Sequence, residues 1–512
     1  MNSYAASIQS TTGTMATYAR KLSQQGRPDM EIILDDHTDG KIYSTFDAIS
    51  GRVEITAPHN ARFDEIQITL EGTVRTFVEN LSPTSTRSKT TALHKFLKLV
   101  MPIPESDYPQ PRIAEAGRTY TFPFNFVVPD RLLPRSCNHK CLSEHVHEAH
   151  LQLPPSMGDR ELSSRDDLSP DMAKIVYGIK VQVVRNREVD NKNVVLVEGL
   201  KKLHIVPAVA EAPPLSVGVE DCEYRLSKTK SLKKGLFSGK LGKITVSAAQ
   251  TNAITLPSPS SEKVQPATTA TINLRFDPHE TSSQPPRLGG LTTKIKVSTF
   301  FAARPAVSIP TQRKILSQFE AFRGVYDQSI SLSSRCVESV AWAQHTPSPE
   351  YSRRDSASST SSSDESDNIH ASKPKDKSVY YTASIIVPIT LPCSKTWIPT
   401  FHSCIASRVY TINLNLSIHT PGPGVPATSV SLHLPVQIAA AGNRSRRATL
   451  TPEEAAAELA SANQFFTPRV IEIPDENLVG NSVLAQAGDS ELPPSYESFA
   501  ARPQQIVDPG RG

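Results

Sequence analysis

The sequence predicts an all-β chain of two tandem immunoglobulin-like β-sandwich domains, and three observations carry that prediction. From Met30 onward, short runs of β-branched and aromatic residues are separated by Gly, Pro, Asn and Asp, the punctuation of strands joined by turns. Many of these runs alternate with period two, giving each one apolar and one polar face, as strands in face-to-face sheets require. The strand-like chain is also too long for one sandwich of about 100 residues. A Pro- and Ala-rich stretch, Pro207 to Pro214, supplies the break.

In chain order, residues 1–28 are Ser, Thr, Gln and Ala with few large apolar groups, and are expected to form a disordered arm. The first sandwich is assigned to 29–208. In it Ile66, Ile68 and Leu70 oppose Glu65, Gln67 and Thr69, with Gly72 marking a bulge before Val74. Ile175, Tyr177, Ile179, Val181 and Val183 form a second stripe, and a further strand ends near Val206. The second sandwich is assigned to 209–441. There Ile272, Leu274 and Phe276 alternate with Thr271, Asn273 and Arg275. Tyr410, Ile412, Leu414, Leu416 and Ile418 do the same, followed by Val430, Leu432, Leu434, Val436 and Ile438. Residues 345–377, Ser-rich and charged, interrupt this domain as an expected disordered insertion between two strands. Residues 442–512 form an expected flexible tail. In it Thr451 at an N-cap, Pro452 at the first helical position and Glu454 in a capping box open a short Ala-rich helix.

Composition narrows the function classes. The chain has 512 residues, and 55 basic against 51 acidic residues leave a net charge of +4, too balanced to imply a nucleic-acid partner. Six cysteines, no apolar run of 18 residues and no signal-like segment lead to the expectation of a soluble intracellular protein with reduced, buried thiols. Asn2 stands where myristoylation needs Gly, and the last residues form no prenylation box, so membrane contact is expected to be peripheral.

One motif in the tail carries partner chemistry. Leu492, Pro493, Pro494, Ser495 and Tyr496 fit the PPxY pattern taken up by WW domains. Two prolines hold φ near the polyproline II value before binding, so an aromatic groove meets a preordered ligand, and Tyr496 fills a second pocket. With 41 Pro and 13 Tyr among 512 residues, random placement gives roughly 0.08 such matches per chain. One match thus suggests a WW ligand, the alternative being a proline-rich piece of solvated tail. Pro349-Glu350-Tyr351 is a degenerate second copy without the first proline.

Other constellations were weighed for chemistry. Cys137, Cys141, His145, His147 and His150 spell C-x3-C-x3-H-x-H-x2-H, enough thiolate and imidazole for tetrahedral Zn²⁺. The spacing is unlike the common zinc fingers, so the stretch is assigned to a His-rich loop, with no metal or other cofactor. His147-Glu148-Ala149-His150 is one residue short of H-E-x-x-H, and the Gly235–Leu241 stretch has its glycines too close for a phosphate loop. No G-x-S-x-G occurs, and no enzymatic activity is expected.

Lys228, Lys230, Lys233, Lys234, Lys240 and Lys243, interleaved with Leu232, Leu236 and Phe237, suit either an anionic lipid surface or a solvated basic loop between two strands. Arg353-Arg354-Asp355-Ser356 and Arg446-Arg447-Ala448-Thr449 place two basic residues before Ser356 and Thr449, the pattern of basophilic kinase sites.

The stretch Tyr120 to Cys137, YTFPFNFVVPDRLLPRSC, resembles the arrestin N-domain of fungal arrestin-related trafficking adaptors, the α-arrestins. FDEIQITLEGTV (63–74), AHLQLPPSMGD (149–159) and KIVYGIKVQVV (174–184) are similar to a second or third strand, a Pro-rich connection and the following strand of that domain. The resemblance implies two hinged arrestin-type sandwiches without catalysis. It also implies a PPxY tail that recruits a Nedd4-type HECT ubiquitin ligase through WW domains. A membrane transporter or receptor cargo would then be ubiquitinated and endocytosed, with the protein cytoplasmic and peripheral at plasma membrane and endosomes. Family members often carry two or more PPxY motifs, whereas this chain has one full match. An arrestin-like signalling scaffold for pH or nutrient sensing, and a vesicle-coat or cargo-sorting subunit without ligase recruitment, remain alternatives.

Overall fold

A computed structural model describes residues 28–81, 87–163, 165–187, 192–218, 221, 223–235, 239–259, 264–313, 322–346, 379–420 and 425–443. The expected arm, the tail helix and most of the Ser-rich insertion lie outside these residues.

The N-terminal sandwich pairs β1 (Asp29–Leu34), β3 (Ala48–Thr56) and β8 (Thr119–Val127) in one sheet. Its second sheet has the order β2 (Ile42–Tyr43), β10 (Lys192–Ile205), β9 (Ala173–Arg187), β5 (Glu65–Leu81) and β6 (Arg87–Met101). The short β4 (Ala61–Arg62) and β7 (Ile113–Ala114) pair separately. Strand β8 shows why the sheets stack: Phe122, Phe124 and Phe126 are buried while Thr121, Pro123 and Asn125 are exposed. Its phenylalanines join Ile49 and Val53 from the same sheet, and Ile68, Leu70, Val74 and Tyr177 from the facing one, in a single core. Each buried aliphatic side chain there contributes about 1.5–3 kcal/mol. All five residues of the Ile175–Val183 stripe are buried, and the Tyr177 hydroxyl donates to the Pro154 carbonyl at 2.5 Å.

The irregularity expected at Gly72 is present in a specific form. Register between β5 and β6 shifts after Gly72: Gly72 pairs with Leu97 and Thr73 with Lys95, so Phe96 on β6 is the extra residue. The Phe96 ring packs edge-on against Tyr177 at 5.3 Å, and a Cβ on Gly72 would approach it to 2.5 Å. Glycine is therefore required there by the ring opposite.

The C-terminal sandwich repeats the architecture. One sheet has the order β11 (Ser227–Lys233), β12 (Lys240–Ala248), β14 (Ala267–Pro278), β18 (Tyr380–Thr390) and β17 (Ala343–His345). The other has β16 (Arg323–Cys336), β15 (Arg287–Ala302), β20 (Ala406–His419) and β19 (Phe401–His402), with β21 (Thr428–Val436) also on β20. The parallel pair β13 (Ile254–Leu256) and β22 (Ile438–Ala440) closes the end of the domain. Every apolar row picked out by period two in this half is buried.

Four expectations need correction. The His-rich stretch is not a loop: Glu144–Leu151 forms a helix, α1, capped by Ser143, whose hydroxyl accepts from the Val146 N–H at 3.4 Å. The basic stretch is not a loop either, since β11 and β12 form an antiparallel hairpin at the edge of their sheet. His345 is strand, pairing with Tyr380, so the insertion begins after it and joins the two arms of the β17–β18 pair. The cysteines are not uniformly buried: Cys137 and Cys404 are, but Cys336 and Cys393 are exposed.

Candidate functional site at the junction of the two sandwiches

The segment 153–172, between α1 and β9, is irregular yet ordered by its own aspartates. Asp167 accepts from the Gly158 N–H at 2.6 Å and from the Ser169 N–H at 3.1 Å, while Asp166 accepts from the Leu168 N–H at 2.9 Å. Such Asx turns replace missing ladder hydrogen bonds. They hold Leu168 at a positive φ of 61°, with its side chain buried in the core of the C-terminal sandwich.

Above Leu168 lies Arg408 on β20, only 1% exposed. Its Nη1 donates to the Asp167 carbonyl at 3.1 Å; its Nη2 donates to the Leu168 carbonyl at 3.4 Å and the Ser169 hydroxyl at 2.8 Å, and lies 3.5 Å from Met157 Sδ. The planar fork of a guanidinium suits several acceptors at once. Around it Lys395 Nζ pairs with Asp166 at 2.8 Å, Arg165 Nη1 donates to the Cys393 carbonyl at 2.7 Å, and Thr396 N–H donates to the Asp166 carbonyl at 3.0 Å. The Lys395 ammonium holds the Asp166 carboxyl below the ordinary carboxylate range.

Further contacts tie the sandwiches elsewhere. The buried Thr76 hydroxyl donates to the Ala302 carbonyl at 2.6 Å, and Phe301, Ile398, Phe401 and Ile405 pack into the N-terminal core. Asn443 Nδ2 reaches the Asp47 carboxylate at 2.9 and 3.1 Å. A junction that shares core residues and buries an arginine restrains domain motion more than an ordinary polar interdomain contact.

Beside this junction is a cluster of thiols and imidazoles. The short 3-10 turn Pro134–Ser136 delivers Cys137, a tight loop brings back His139 and Cys141, and α1 returns His150 to them. Their ligand atoms all lie within 4.8 Å of one another. Cys137 Sγ is 3.8 Å from Cys141 Sγ, 3.6 Å from His150 Nδ1 and 3.3 Å from His139 Nε2; Cys141 Sγ is 3.7 Å from His150 Nδ1. Burial and the neighbouring Cys137 push the Cys141 thiol up to about 11. Burial, with His139, His147 and His94 nearby, lowers His150 to about 4. Sequence reasoning grouped His145 and His147 with the cysteines and passed over His139. The structure groups Cys137, Cys141 and His150 with His139, and His145 and His147 stand outside the cluster. The signal in the sequence was C-x-H-x-C at 137–141, with Ser143 and Glu144 as a helix start that turns His150 inward.

The six lysines do not form one face. Lys228 and Lys230 share the inward side of β11 with Leu232, and Lys230 Nζ donates to the Ser429 carbonyl at 2.7 Å. Lys234 pairs with Glu280 at 2.6 Å, while Lys233, Lys240 and Lys243 are exposed. Leu236 and Phe237 lie outside the described residues, as do Pro349, Tyr351, Ser356, Thr449, Leu492, Pro493, Pro494 and Tyr496. A surface hollow of about 510 Å³ on β12, β14 and β18 is lined by Ser247, Asn273, Arg275, Thr382 and Ser384 among others; none of its lining residues is a carboxylate, imidazole or thiol. Among the described residues no helix is long and apolar enough to cross a membrane.

No curated protein matches the chain. Residues 30–201, from β1 to the later part of β10, match the family model described as arrestin (or S-antigen), N-terminal domain. Domains of that family are typically non-enzymatic adaptors or scaffolds. The match gives residues 30–201 a likeness to that arrestin N-terminal domain, and the N-terminal β-sandwich described above occupies the same stretch.

Proposed function

We propose that this protein is an α-arrestin-type ubiquitin-ligase adaptor, its sandwiches engaging a membrane transporter or receptor while its tail recruits a HECT-type ligase through WW domains. The observation that carries the reading is the pairing, in one chain, of an arrestin N-terminal domain match with Pro493-Pro494-Ser495-Tyr496. The ligase contact falls to Leu492, Pro493, Pro494 and Tyr496. Catalysis is supplied by the ligase and the adaptor acts through effective concentration: weak WW binding suffices once cargo is held nearby. Roughly 55 residues separate the last described strand from the motif, enough chain for a reach near 40 Å were it a random coil. The protein then works in the cytoplasm, at the plasma membrane and endosomes, with Lys233, Lys240 and Lys243 as the exposed part of an anionic-lipid contact and Ser356 and Thr449 as phosphorylation sites.

The test is surface proteomics of cells lacking the protein, complemented with wild type or with Tyr496→Ala. Particular transporters should accumulate at the surface in the deletion and in the Tyr496→Ala cells alike. If no membrane protein changes while a signalling reporter does, the scaffold alternative replaces this one.

A further inference from the structure

We infer that Cys137, His139, Cys141 and His150 form a structural zinc site that fastens the loop 137–151 at the junction of the sandwiches. In a tetrahedral centre with Zn–S near 2.3 Å and Zn–N near 2.0–2.1 Å, geometry places two sulfurs about 3.8 Å apart and a sulfur and a nitrogen about 3.6 Å apart. The observed separations are 3.8 Å for the two sulfurs and 3.6 and 3.7 Å from them to His150 Nδ1, with 3.3 Å from Cys137 to His139 Nε2. Four donors of the Cys₂His₂ type, two of them buried, thus converge within 4.8 Å of one another, and the separations among Cys137, Cys141 and His150 match those of a closed coordination shell. Neutral thiols and imidazoles, by contrast, are weak partners for one another and gain little from such convergence.

The surroundings support ligation. His139 Nδ1 lies 3.2 Å from the Lys140 carbonyl; a proton donated there leaves the lone pair on Nε2, the atom facing Cys137. This is the arrangement that orients metal-bound histidines. Both cysteines and His139 come from one short turn, while His150 is positioned by α1 through its Ser143 cap. Four protein donors leave no open position, which marks a structural site and not a hydrolytic one.

The location gives the metal a task. Between the ligands, the Leu142 N–H donates to the Val307 carbonyl of the C-terminal sandwich at 2.8 Å, and Cys404 of that sandwich lies against Cys137. Cys404 is not among the four residues whose ligand atoms converge. Zinc at this point would stiffen a loop that the C-terminal sandwich grips, and so couple metal content to the mutual stability of the two domains.

The experiment uses the full chain, purified without chelator or added metal. Elemental analysis should find about one zinc per chain, and His139→Ala and Cys141→Ser should each lower zinc affinity at least tenfold, while His145→Ala and His147→Ala should not. Because ligand variants can misfold, the wild-type protein is also stripped with a chelator, checked for retained strand content by circular dichroism, and titrated with Co²⁺. The expected result is the visible spectrum of tetrahedral cobalt with thiolate charge transfer, abolished by Zn²⁺. A folded wild-type protein that carries no zinc and gives no such spectrum overturns the inference. So does zinc retained by the Cys137→Ser/Cys141→Ser protein, or a Cys137–Cys141 disulfide in the freshly purified chain.

Discussion

The Arg408 guanidinium, carried by β20 of the C-terminal sandwich, donates to the main-chain oxygen of Asp167 in the N-terminal sandwich at 3.1 Å, in a place where Arg408 is 1% exposed. The same side chain holds Leu168 and Ser169, so one residue organises the loop that plugs the other domain's core. Arg408→Ala would strand the buried Leu168 carbonyl, at about 1–3 kcal/mol for an unpaired buried group, and also free the half-buried Asp167 carbonyl and Ser169 hydroxyl at a smaller cost. Urea unfolding should show a loss of at least about 2 kcal/mol. Lys at this position keeps the charge but lacks the fork, and should recover only part of the loss.

The junction also predicts a pH dependence. Lys395 holds Asp166 below its ordinary pKa, so its stabilisation is fully present above the unfolded-state value, about 3.9, and is lost as pH falls through the depressed folded-state value. Asp166→Asn should therefore cost stability at pH 7 and little at the lowest pH where the wild type stays folded. Both side chains are partly exposed, 51% for Asp166 and 28% for Lys395, so the effect should shrink in high salt. Unfolding midpoints across that range, at low and high ionic strength, check both points.

Gly72→Ala should destabilise the N-terminal sandwich by about 1–3 kcal/mol, the usual cost of overpacking, because the new methyl meets the Phe96 ring at 2.5 Å. Adding Phe96→Leu should recover part of that loss, a coupling that thermal melts of the single and double variants would show.

The lysine geometry separates the members of the basic hairpin. Each exposed lysine near an anionic surface is worth about 1 kcal/mol, so changing Lys233, Lys240 and Lys243 to Gln should weaken flotation with phosphatidylserine vesicles. Changing Lys228 and Lys230, on the inward side of β11, should have less effect. Equal binding of wild type to neutral vesicles would remove the lipid contact from the account.

What the sequence made legible was what is local. The rows Ile272–Phe276 and Tyr410–Ile418 announce their buried faces through period two alone. Arg408 was missed because a charged residue in a strand is ordinarily solvent-facing; yet extending the Tyr410 row back by two residues reaches it, and that phase was the available warning. The cluster at Cys137 was half visible. Its thiols and His150 stood out as ligand types and His139 sat unremarked between the two cysteines, but His150, not His145 or His147, joins them only because α1 folds back, and an eight-residue helix rich in histidine has little apolar periodicity to reveal it. The basic run looked like a loop because Lys at alternate positions resembles solvated chain, whereas Leu232, Leu241 and Ile244 carry the strand signal.

The central claim, that the tail recruits a ligase, is tested most directly by the affinity of the full chain for isolated WW domains of a HECT-type ubiquitin ligase, measured by calorimetry for wild type and Tyr496→Ala. The account expects measurable wild-type binding that falls at least tenfold in Tyr496→Ala, with strand content and melting temperature unchanged. Equal affinity of the two proteins, or no binding by wild type to any WW domain of the ligase, would contradict it.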